Sequence, residues 1–449
     1  MSNDDDHELR ARLHAHLDRM IAEAKRAGET KDGMRRLDER IRVEVLALGE
    51  QVVRVAARSR ASRVKRTKET PACEECDEPT VFRQLRDCRV RTCLTGEPVE
   101  ADSAYAVCRR CAKGVVDLHH AMGAGADGFS ERLREMAVLA GAADPFEHAA
   151  DLLLQNLAGV HIGKTKVHGL CGDSNDAAWS LLAEGELGDA RPLGQGEHLI
   201  IEIDGVMGHV DGGWHEVKLA VLYPDGDHVE VSPERNALLH RRVVATRGDR
   251  EELGGLILNA AARFLPQDAD GAPIIAGKVV VLGDGAPWIR NLVDEFLPGA
   301  RVILDWYHAV QHLSAAARLA FADEGAKKRW LGHSKRLLRD GRSAPLLAEI
   351  ARMTMKRSDQ PDARAALQAL HRYLSDRDDA LGYHTARAAG VPIGSGAAES
   401  AANWFFQQRM KRPGMRWKHR GADAMLALRC AYASTGGFER LFEALRRAA

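Results

Sequence analysis

Three acidic residues occupy positions from which carboxylates could bind divalent metal ions. Asp204 follows the apolar run IIEI and Asp284 follows VVVLG, so each is expected at the end of a buried strand, where α/β sheets present functional groups. Glu399 comes early in an Ala-rich helix, after Gly394–Gly396. Three neighbouring carboxylates stay ionised only if a cation neutralises them. Mg²⁺ or Mn²⁺ suits such oxygen ligands, and a pair of these ions promotes in-line displacement at phosphorus.

The helix that carries Glu399 is suited to close packing on a sheet. Ser395 is expected to cap its N-terminus, and small side chains allow its backbone to approach other elements. Such packing would bring Glu399 beside Asp204 and Asp284. Either aspartate alone is also typical of a helix cap or a turn, but both together, in this order of strands, favour the metal site. The small residues are Ala397, Ala398, Ala401 and Ala402.

Positive charge is concentrated after this helix. The chain contains 64 Lys and Arg residues and 64 Asp and Glu residues, so its total charge favours no class of partner. In the C-terminal region, however, cations alternate with aromatic side chains, a pattern that favours phosphate contacts with nucleic acid. A second basic run, Arg58–Lys68, is equally compatible with a solvated helix face. The C-terminal candidates for DNA contact are Arg409, Lys411, Arg412, Arg416, Trp417 and Lys418.

Six of the eight cysteines fall in a short region that contains the motifs CEEC and CRRC. Their spacing fits a zinc ribbon, in which two turns each supply two thiolates to one tetrahedral Zn²⁺. A region this short and this poor in apolar residues needs a metal to fold. Cys88 and Cys93 could replace one pair, belong to a second site, or be buried thiols, and burial is the default. The predicted zinc ligands are Cys73, Cys76, Cys108 and Cys111.

Alternating strands and helices begin near Gly196. Strands are expected over 198–206, over 213–223 after an Asp211-Gly212 turn, and over 228–231, because such turns join antiparallel strands. A helix then precedes two more buried strands, which end at Asp284 and Asp305, and the following residues to 393 are almost wholly helical. Three antiparallel strands, a helix, and two strands with helices between them form the order of an RNase H-like sheet.

The region before this sheet is predicted to be largely helical. Residues 7–57 have helical spacing, which favours a packing or dimerisation element over a DNA contact. Residues 144–182 fit a helix-turn-helix, but any helical hairpin has the same pattern. The predicted fold is multidomain α/β, an RNase H-like mixed sheet with an all-helical insertion. The predicted regions are 1–68, helical with a basic tail; 69–115, zinc-ribbon-like; 116–195, helical with the possible helix-turn-helix; 196–308, the first part of the core; 309–393, the helical insertion; and 394–449, the C-terminal core helices with the basic segment.

Four segments of the chain resemble one known family. IEIDGV, VLGDGAPWI, LDWYHAVQHL and GSGAAESAANWFFQQRMKRPGMRW, in this order, are similar to the insertion-sequence transposases of the Kra type, relatives of the Mutator-like DDE transposases. The similarity is dense over 198–435 and looser over the two cysteine motifs and the helical region that follows them. Cys88 and Cys93 have no assigned place in the family's pattern.

The resemblance implies a DNA transposase whose catalytic triad is Asp204, Asp284 and Glu399. It implies cleavage at the element's end by a metal-activated water, followed by attack of the freed 3′-hydroxyl on target DNA. Asp204 would bridge two metal ions, and Asp284 and Glu399 would each hold one. Asp305 and His308 match an acid-x-x-His pair that is expected to help place DNA. Alternatively, Asp305 caps a helix whose first turn contains His308.

The expected partners are double-stranded DNA, at the element ends and the target, and a second copy of the chain, because two ends must be joined in one complex. The N-terminus MSNDDDHELR has no signal-peptide pattern, and no apolar run reaches the roughly 18 residues that span a bilayer. A bacterial cytoplasmic, nucleoid-associated protein with no membrane partner is therefore expected. Two other functions stay open: a transposase-derived DNA-binding regulator without catalysis, and an RNase H-like structure-specific nuclease without strand transfer.

Overall fold

The computed structural model describes residues 3–29, 31–125, 127–232 and 235–448. Within these ranges the protein is mixed α/β, with three β-sheets and many helices. It divides into two compact units, one of residues 3–174 with 442–448 and the other of residues 175–441. The division falls inside the predicted helical region 116–195. No helix in the described ranges is both long enough and apolar enough to cross a membrane.

The first unit begins with two long helices, α1 (Asn3–Ala27) and α2 (Gly33–Thr67). Both are expected because the sequence combines helical apolar spacing with charged residues and lacks proline before Pro71. The basic run Arg58–Lys68 forms the end of α2. One of its cations is structural, because Arg60 makes two hydrogen bonds of 2.6 and 2.9 Å to the buried carboxylate of Asp117.

A small antiparallel sheet follows these helices. It consists of β1 (Thr80–Arg91), β2 (Pro98–Cys108) and β3 (Gly114–Val116) in that order. Cys88 lies in an apolar cluster with Ala57 of α2, which confirms the prediction that it is a buried thiol. The remaining helices of this unit are α3 (Asp117–Ala121), α4 (Glu131–Ala143), α5 (Phe146–His148), a π-helix (Ala149–Ala158) and α6 (Lys164–Asp173).

A five-stranded sheet is the centre of the second unit, and its strand order is β10-β9-β4-β5-β8. The first three of these strands along the chain, β4, β5 and β8, are antiparallel, whereas β9 is parallel to both β4 and β10. A separate hairpin pairs β6 with β7. The strands are β4 (Leu199–Val210), β5 (Gly213–Pro224), β6 (His228–Ser232), β7 (Arg235–Leu238), β8 (Arg242–Thr246), β9 (Val279–Gly283) and β10 (Arg301–Leu304).

The turn between β4 and β5 is the predicted Asp211-Gly212 turn, and both residues have positive φ, 48° and 80°. This matches the two-residue hairpin turn that such a pair favours. Two other details differ from the prediction. Asp204 lies within β4, which continues to Val210, and not at its end. The strand at 228–232 does not belong to the main sheet, because most of its side chains are exposed, and the fully buried β8 takes that place.

Helices cover the sheet and fill the predicted helical insertion. α8 packs on β5 and β8, and α15 packs on β4 and β5. In the chain order of this unit the helices are α7 (Asn175–Ala183), α8 (Arg250–Ala262), α9 (Pro287–Phe296), α10 (Trp306–Ala320), α11 (Glu324–Arg339), α12 (Ser343–Met355), α13 (Pro361–Ser375), α14 (Tyr383–Ala388), α15 (Gly396–Ala401), a π-helix (Ala402–Gln407), α16 (Gln408–Met410), α17 (His419–Ala433) and α18 (Gly437–Ala448), whose end belongs to the first unit.

Candidate functional site

Asp204 and Asp284 both follow the point where β4 and β9 stop pairing. The two strands are parallel, and Glu202 opposite Leu282 is their last pair. Asp204 lies two residues further along β4, and Asp284 is the residue that follows β9. One oxygen of each carboxylate accepts a hydrogen bond of 2.8 Å from a backbone N–H one or two residues later. These bonds fix the orientation of the two carboxylates at one edge of the sheet.

Asp305 follows β10, the next strand of the sheet, but its carboxylate is only 1 % exposed. Its Oδ1 accepts a hydrogen bond of 2.8 Å from the His308 backbone N–H, so Asp305 is the N-cap of α10. Its Oδ2 accepts bonds of 2.5 Å from both the N–H and the hydroxyl of Ser395. Of the two roles that the sequence left open for Asp305, the structure shows the helix cap. In this buried position both oxygens of the Asp305 carboxylate are used within the protein, and they hold the loop before α15 in place.

Glu202 anchors the helix that carries Glu399. Ser395 occupies the predicted N-cap position of this helix, but its side chain makes no cap bond, because its hydroxyl is donated to Asp305 instead. The N–H of Ala398 donates to Oε2 of Glu202 at 2.8 Å, so a residue of β4 caps α15. Tyr223 donates its hydroxyl to the other oxygen, Oε1, at 2.5 Å.

The other end of the same helix is also held by a buried charge. Arg429 of α17 is 2 % exposed and donates to the backbone carbonyls of Trp404 and Phe405 at 2.7 and 2.9 Å. These carbonyls belong to the π-helical turn, whose wider hydrogen-bond pattern frees backbone acceptors for such partners. Ala398, Ala401 and Ala402 are buried, as the small-residue pattern predicted, and Glu399 is exposed.

The acids influence one another electrostatically. The pKa of Asp204 is raised above its ordinary value, mainly because the carboxyl is partly buried. The negative charges of Asp284 and Glu399 raise it further, whereas a hydrogen bond from the Gly205 N–H and the nearby His308 lower it. The structure thus places Asp284, Glu399 and His308 within electrostatic range of Asp204. A cation placed among them would relieve the repulsion.

Two aromatic residues beside the acids were not identified from the sequence. His312, one turn after His308, stacks on the Tyr373 ring with centroids 3.8 Å apart, and Tyr373 donates its hydroxyl to the Asp284 carbonyl at 2.9 Å. Burial lowers the pKa of His312, and the charges of His308 and Arg377 lower it further. The spacing of His308 and His312 on one helix face was a usable signal. Tyr373 lies far along the chain and carried none.

The three acids do not form a compact group of metal ligands. In the described part of the chain, the cysteine cluster has donor atoms that all lie within 4.8 Å of one another, and the three acids are not such a group. Binding of Mg²⁺ or Mn²⁺ by Asp204, Asp284 and Glu399 stays a prediction.

Some residues of the basic segment 409–420 pack against the protein, and others are exposed to solvent. The prediction that Arg409 contacts DNA is wrong for this conformation, because Arg409 is 1 % exposed, with its guanidinium 5.4 Å from the Trp417 ring. Trp417 is half-buried and donates its indole N–H to the Met410 carbonyl at 2.9 Å, so it also packs the segment. Arg412 is half-buried, and its Nε donates to the Gln408 carbonyl. The exposed cations are Lys411, Arg416, Lys418 and Arg420.

The four predicted zinc ligands come together in the first unit. Sγ–Sγ distances are 3.4 Å for Cys73–Cys111, 3.5 Å for Cys76–Cys108 and 3.8 Å for Cys76–Cys111. A tetrahedral ion with Zn–S bonds of 2.3 Å requires sulfur atoms about 3.8 Å apart, so the cluster could hold a metal ion such as zinc. Backbone N–H groups of Cys111 and Arg110 lower the pKa of Cys108, which favours the thiolate that a metal binds, whereas burial and the neighbouring thiols raise the pKa of Cys76.

The stability of the metal-free protein should depend on the ionisation of Glu202. Burial raises the pKa of Glu202 from 4.5 to about 7. Between these two values the unfolded chain releases a proton that the folded chain keeps. The contribution of Glu202 to the free energy of unfolding is therefore fully present below pH 4.5 and is lost as the pH rises through 7. This loss amounts to about 3 kcal/mol of unfolding free energy. Chemical denaturation at about pH 5 and about pH 8 should show that Glu202→Gln loses less stability than wild type. Equal losses would contradict this assignment.

Comparison with known proteins assigns most of the chain to a family. A family model described as Uncharacterised protein family (UPF0236) matches residues 115–444, well over half of the chain. The matched range contains Asp204, Asp284, Glu399 and the basic segment, and it begins after the last ligand of the cysteine cluster. No curated protein matches the chain. The family's description names no activity, so the function has to be argued from the site.

Proposed function

The chain belongs to the UPF0236 family, and we propose from its site that it is the DNA transposase of an insertion sequence with an RNase H-like catalytic core. This family is often found in transposase-like proteins. The observation that carries the proposal is the meeting of Asp204, Asp284 and Glu399, which are far apart in the sequence, within electrostatic range at one edge of the sheet. Carboxylates so placed suit metal-dependent chemistry at phosphorus.

The strand order supports an RNase H-like assignment of the core. Three antiparallel strands, β4, β5 and β8, are followed along the chain by β9 and β10, which add in parallel on the other side of β4. The helices α10 to α14 then separate the two aspartates from α15, which returns to pack on β4 and β5. This arrangement agrees with a core that an all-helical insertion interrupts.

The proposed reaction has two displacements at phosphorus. Mg²⁺ or Mn²⁺ bound by the three carboxylates would lower the pKa of the attacking hydroxyl and neutralise charge on the phosphate. First, water attacks a phosphodiester at the element's end, and its bond to the 3′-oxygen breaks, which leaves a 3′-hydroxyl and a 5′-phosphate. Next, that 3′-hydroxyl attacks the phosphorus of a target phosphodiester. The bond from this phosphorus to the 3′-oxygen of the target strand breaks. One phosphodiester replaces another, so the second step requires no energy source.

The rest of the chain has proposed roles in DNA binding. The exposed cations of the basic segment contact phosphates, and zinc on the four cysteines fixes the small sheet of the first unit. The helices α5 and α6, with the π-helix and turn between them, are the candidate helix-turn-helix. Two copies of the chain would join two element ends, in the cytoplasm of a bacterium and associated with its nucleoid.

The direct test uses DNA taken from the flanks of the gene, with any inverted repeats they contain. Purified protein should nick this DNA at the repeat ends when Mg²⁺ or Mn²⁺ is added, and should then join the 3′-ends to a target plasmid. Nicking without joining would favour the structure-specific nuclease. Binding of the ends with no cleavage under either metal would favour the regulator.

The exposed cations of the basic segment should govern DNA affinity. Replacing Lys411, Arg416 and Lys418 with Ala should weaken binding to all DNA sequences, because phosphate contacts carry no sequence information. Each lost contact should reduce the slope of log affinity against log salt concentration by about one unit. The buried Arg409 is the matched control. Arg409→Ala should lower the thermal stability of the protein and leave the salt slope of DNA binding unchanged. An unchanged slope in the triple variant would exclude these residues from the interface.

A further inference from the structure

A cavity of about 700 Å³ lies beside the helix that carries Glu399. Its size is in the range of small-ligand sites, about 300–1,000 Å³. On α15 and the following π-helical turn, it is lined by Ala397, Ser400, Ala401 and Trp404. These positions share one helix stripe that does not contain Glu399. The cavity is therefore next to the carboxylate site but distinct from it, and the reaction described above makes no use of it.

The walls of the cavity combine aromatic rings with cations. Trp306, Trp404 and Tyr307 line it; Trp306 is 9 % exposed, and Tyr307, at 59 % exposed, is the ring most open to a ligand. The guanidinium of Arg339 lies 5.3 Å from the Trp306 ring, and that of Arg241 lies 5.3 Å from the Trp404 ring. Flat rings bearing cations offer a stacking surface to a planar group and positive charge to an anion.

The acid that lines the cavity does not cancel this charge for a ligand. Glu202 is 1 % exposed, and its two oxygens already accept hydrogen bonds from Tyr223 and from the Ala398 N–H. The guanidinium groups of Arg241 and Arg339 are thus the charges that a ligand would meet. The lining selects a ligand with a planar aromatic part and a negatively charged part.

We propose that this cavity binds one nucleotide of a DNA strand, unstacked from its neighbours, beside the phosphodiester that is cleaved. That the nucleotide belongs to DNA rests on the proposed function. Glu202 at the cavity and Asp204 at the carboxylate site are two residues apart on one strand face, roughly 6.6 Å, a distance that one nucleotide spans. Stacking on the indole and phenol rings replaces the stacking that the base loses in the duplex. The anchored base would fix which phosphate reaches the acids.

The test is a titration of the full, metal-free chain with dAMP, deoxyadenosine and deoxyribose 5-phosphate, followed by tryptophan fluorescence. dAMP should quench the fluorescence saturably and bind at least tenfold more tightly than either fragment. Ser400→Phe adds a ring in the cavity without removing any packing, because Ser400 is exposed, and should weaken dAMP binding at least tenfold. Gln407→Phe adds the same ring at an exposed position outside the cavity and should bind as wild type does.

Two results would overturn the inference: equal binding of dAMP by Ser400→Phe and wild type, or equal affinity for dAMP and deoxyribose 5-phosphate. If Ser400→Phe does not fold, Tyr307→Ala removes an exposed ring at the mouth and should weaken dAMP binding while deoxyribose 5-phosphate binding is unchanged. Binding requires neither metal nor cleavage. A chain that binds dAMP here but never cleaves DNA would refute the transposase, and a chain that cleaves but fails this titration would refute only the nucleotide cavity.

Discussion

Replacing Asp204 with Asn is expected to lower Mg²⁺- or Mn²⁺-dependent DNA cleavage by about a thousandfold or more, while binding to end DNA is nearly unchanged. The amide keeps the shape of the side chain but removes the charge that holds the cations, and a thousandfold loss corresponds to about 4 kcal/mol of transition-state stabilisation. In the proposed function, DNA binding rests on other parts of the chain, chiefly the exposed cations of the basic segment. The measurement is nicking and strand transfer at fixed protein concentration, beside a binding titration.

The same substitution should not destabilise the metal-free protein. Partial burial and the negative charges of Asp284 and Glu399 raise the pKa of Asp204, so ionisation of this carboxyl costs stability in the fold and Asn avoids that cost. Thermal unfolding without divalent metal should give an equal or higher Tm for Asp204→Asn than for wild type. A large decrease in Tm would mean that lost activity reflects misfolding.

A matched set of variants separates metal binding from positioning. Asp284→Asn and Glu399→Gln should behave as Asp204→Asn does, whereas Asp270→Asn, at an exposed position outside the site, should retain wild-type cleavage. Asp305→Ala should fall between wild type and the triad variants, because it frees the loop before α15 and leaves the three carboxylates present. Wild-type cleavage by Asp204→Asn or Glu399→Gln would break the triad assignment.

Removal of zinc is expected to unfold the small sheet of the first unit. The four thiolates cross-link turns that are distant in the sequence, and binding of a structural metal contributes directly to the free energy of folding. Freshly purified, reduced protein should carry about one zinc per chain. Cys108→Ser should lose that zinc and expose residues 69–115 to proteolysis. Metal analysis and limited proteolysis provide the two measurements.

Cys93 is the matched control for this prediction. It lies in the same region, is half-buried, and is not a member of the cluster of four sulfur atoms, so Cys93→Ser should keep full zinc content and wild-type proteolysis. If Cys108→Ser also keeps full zinc content, the ligand assignment is incorrect. Folded, reduced wild-type protein without zinc would exclude a structural metal at this site.

The sequence alone determined the features that depend on local patterns. The CxxC spacing identified the four cysteines that the structure brings together, since paired thiols in tight turns have few other uses in a short region. Runs of mostly apolar residues identified β4, β9 and β10, because strands covered on both faces of a sheet are rich in apolar side chains. The Asp211-Gly212 turn was also predictable, because both of its residues tolerate a positive φ.

Tertiary structure alone decided which charged residues are buried. Arg409 and Lys411 are two residues apart in one basic segment, yet Arg409 is 1 % exposed and Lys411 is exposed. Composition cannot distinguish them, because burial depends on which elements pack over each side chain. The role of Glu202 likewise required its contacts with Tyr223 and Ala398, although its place two residues before Asp204 was a signal. A charge in a core is tolerated only where distant residues supply hydrogen bonds, and long-range folding alone brings those residues together.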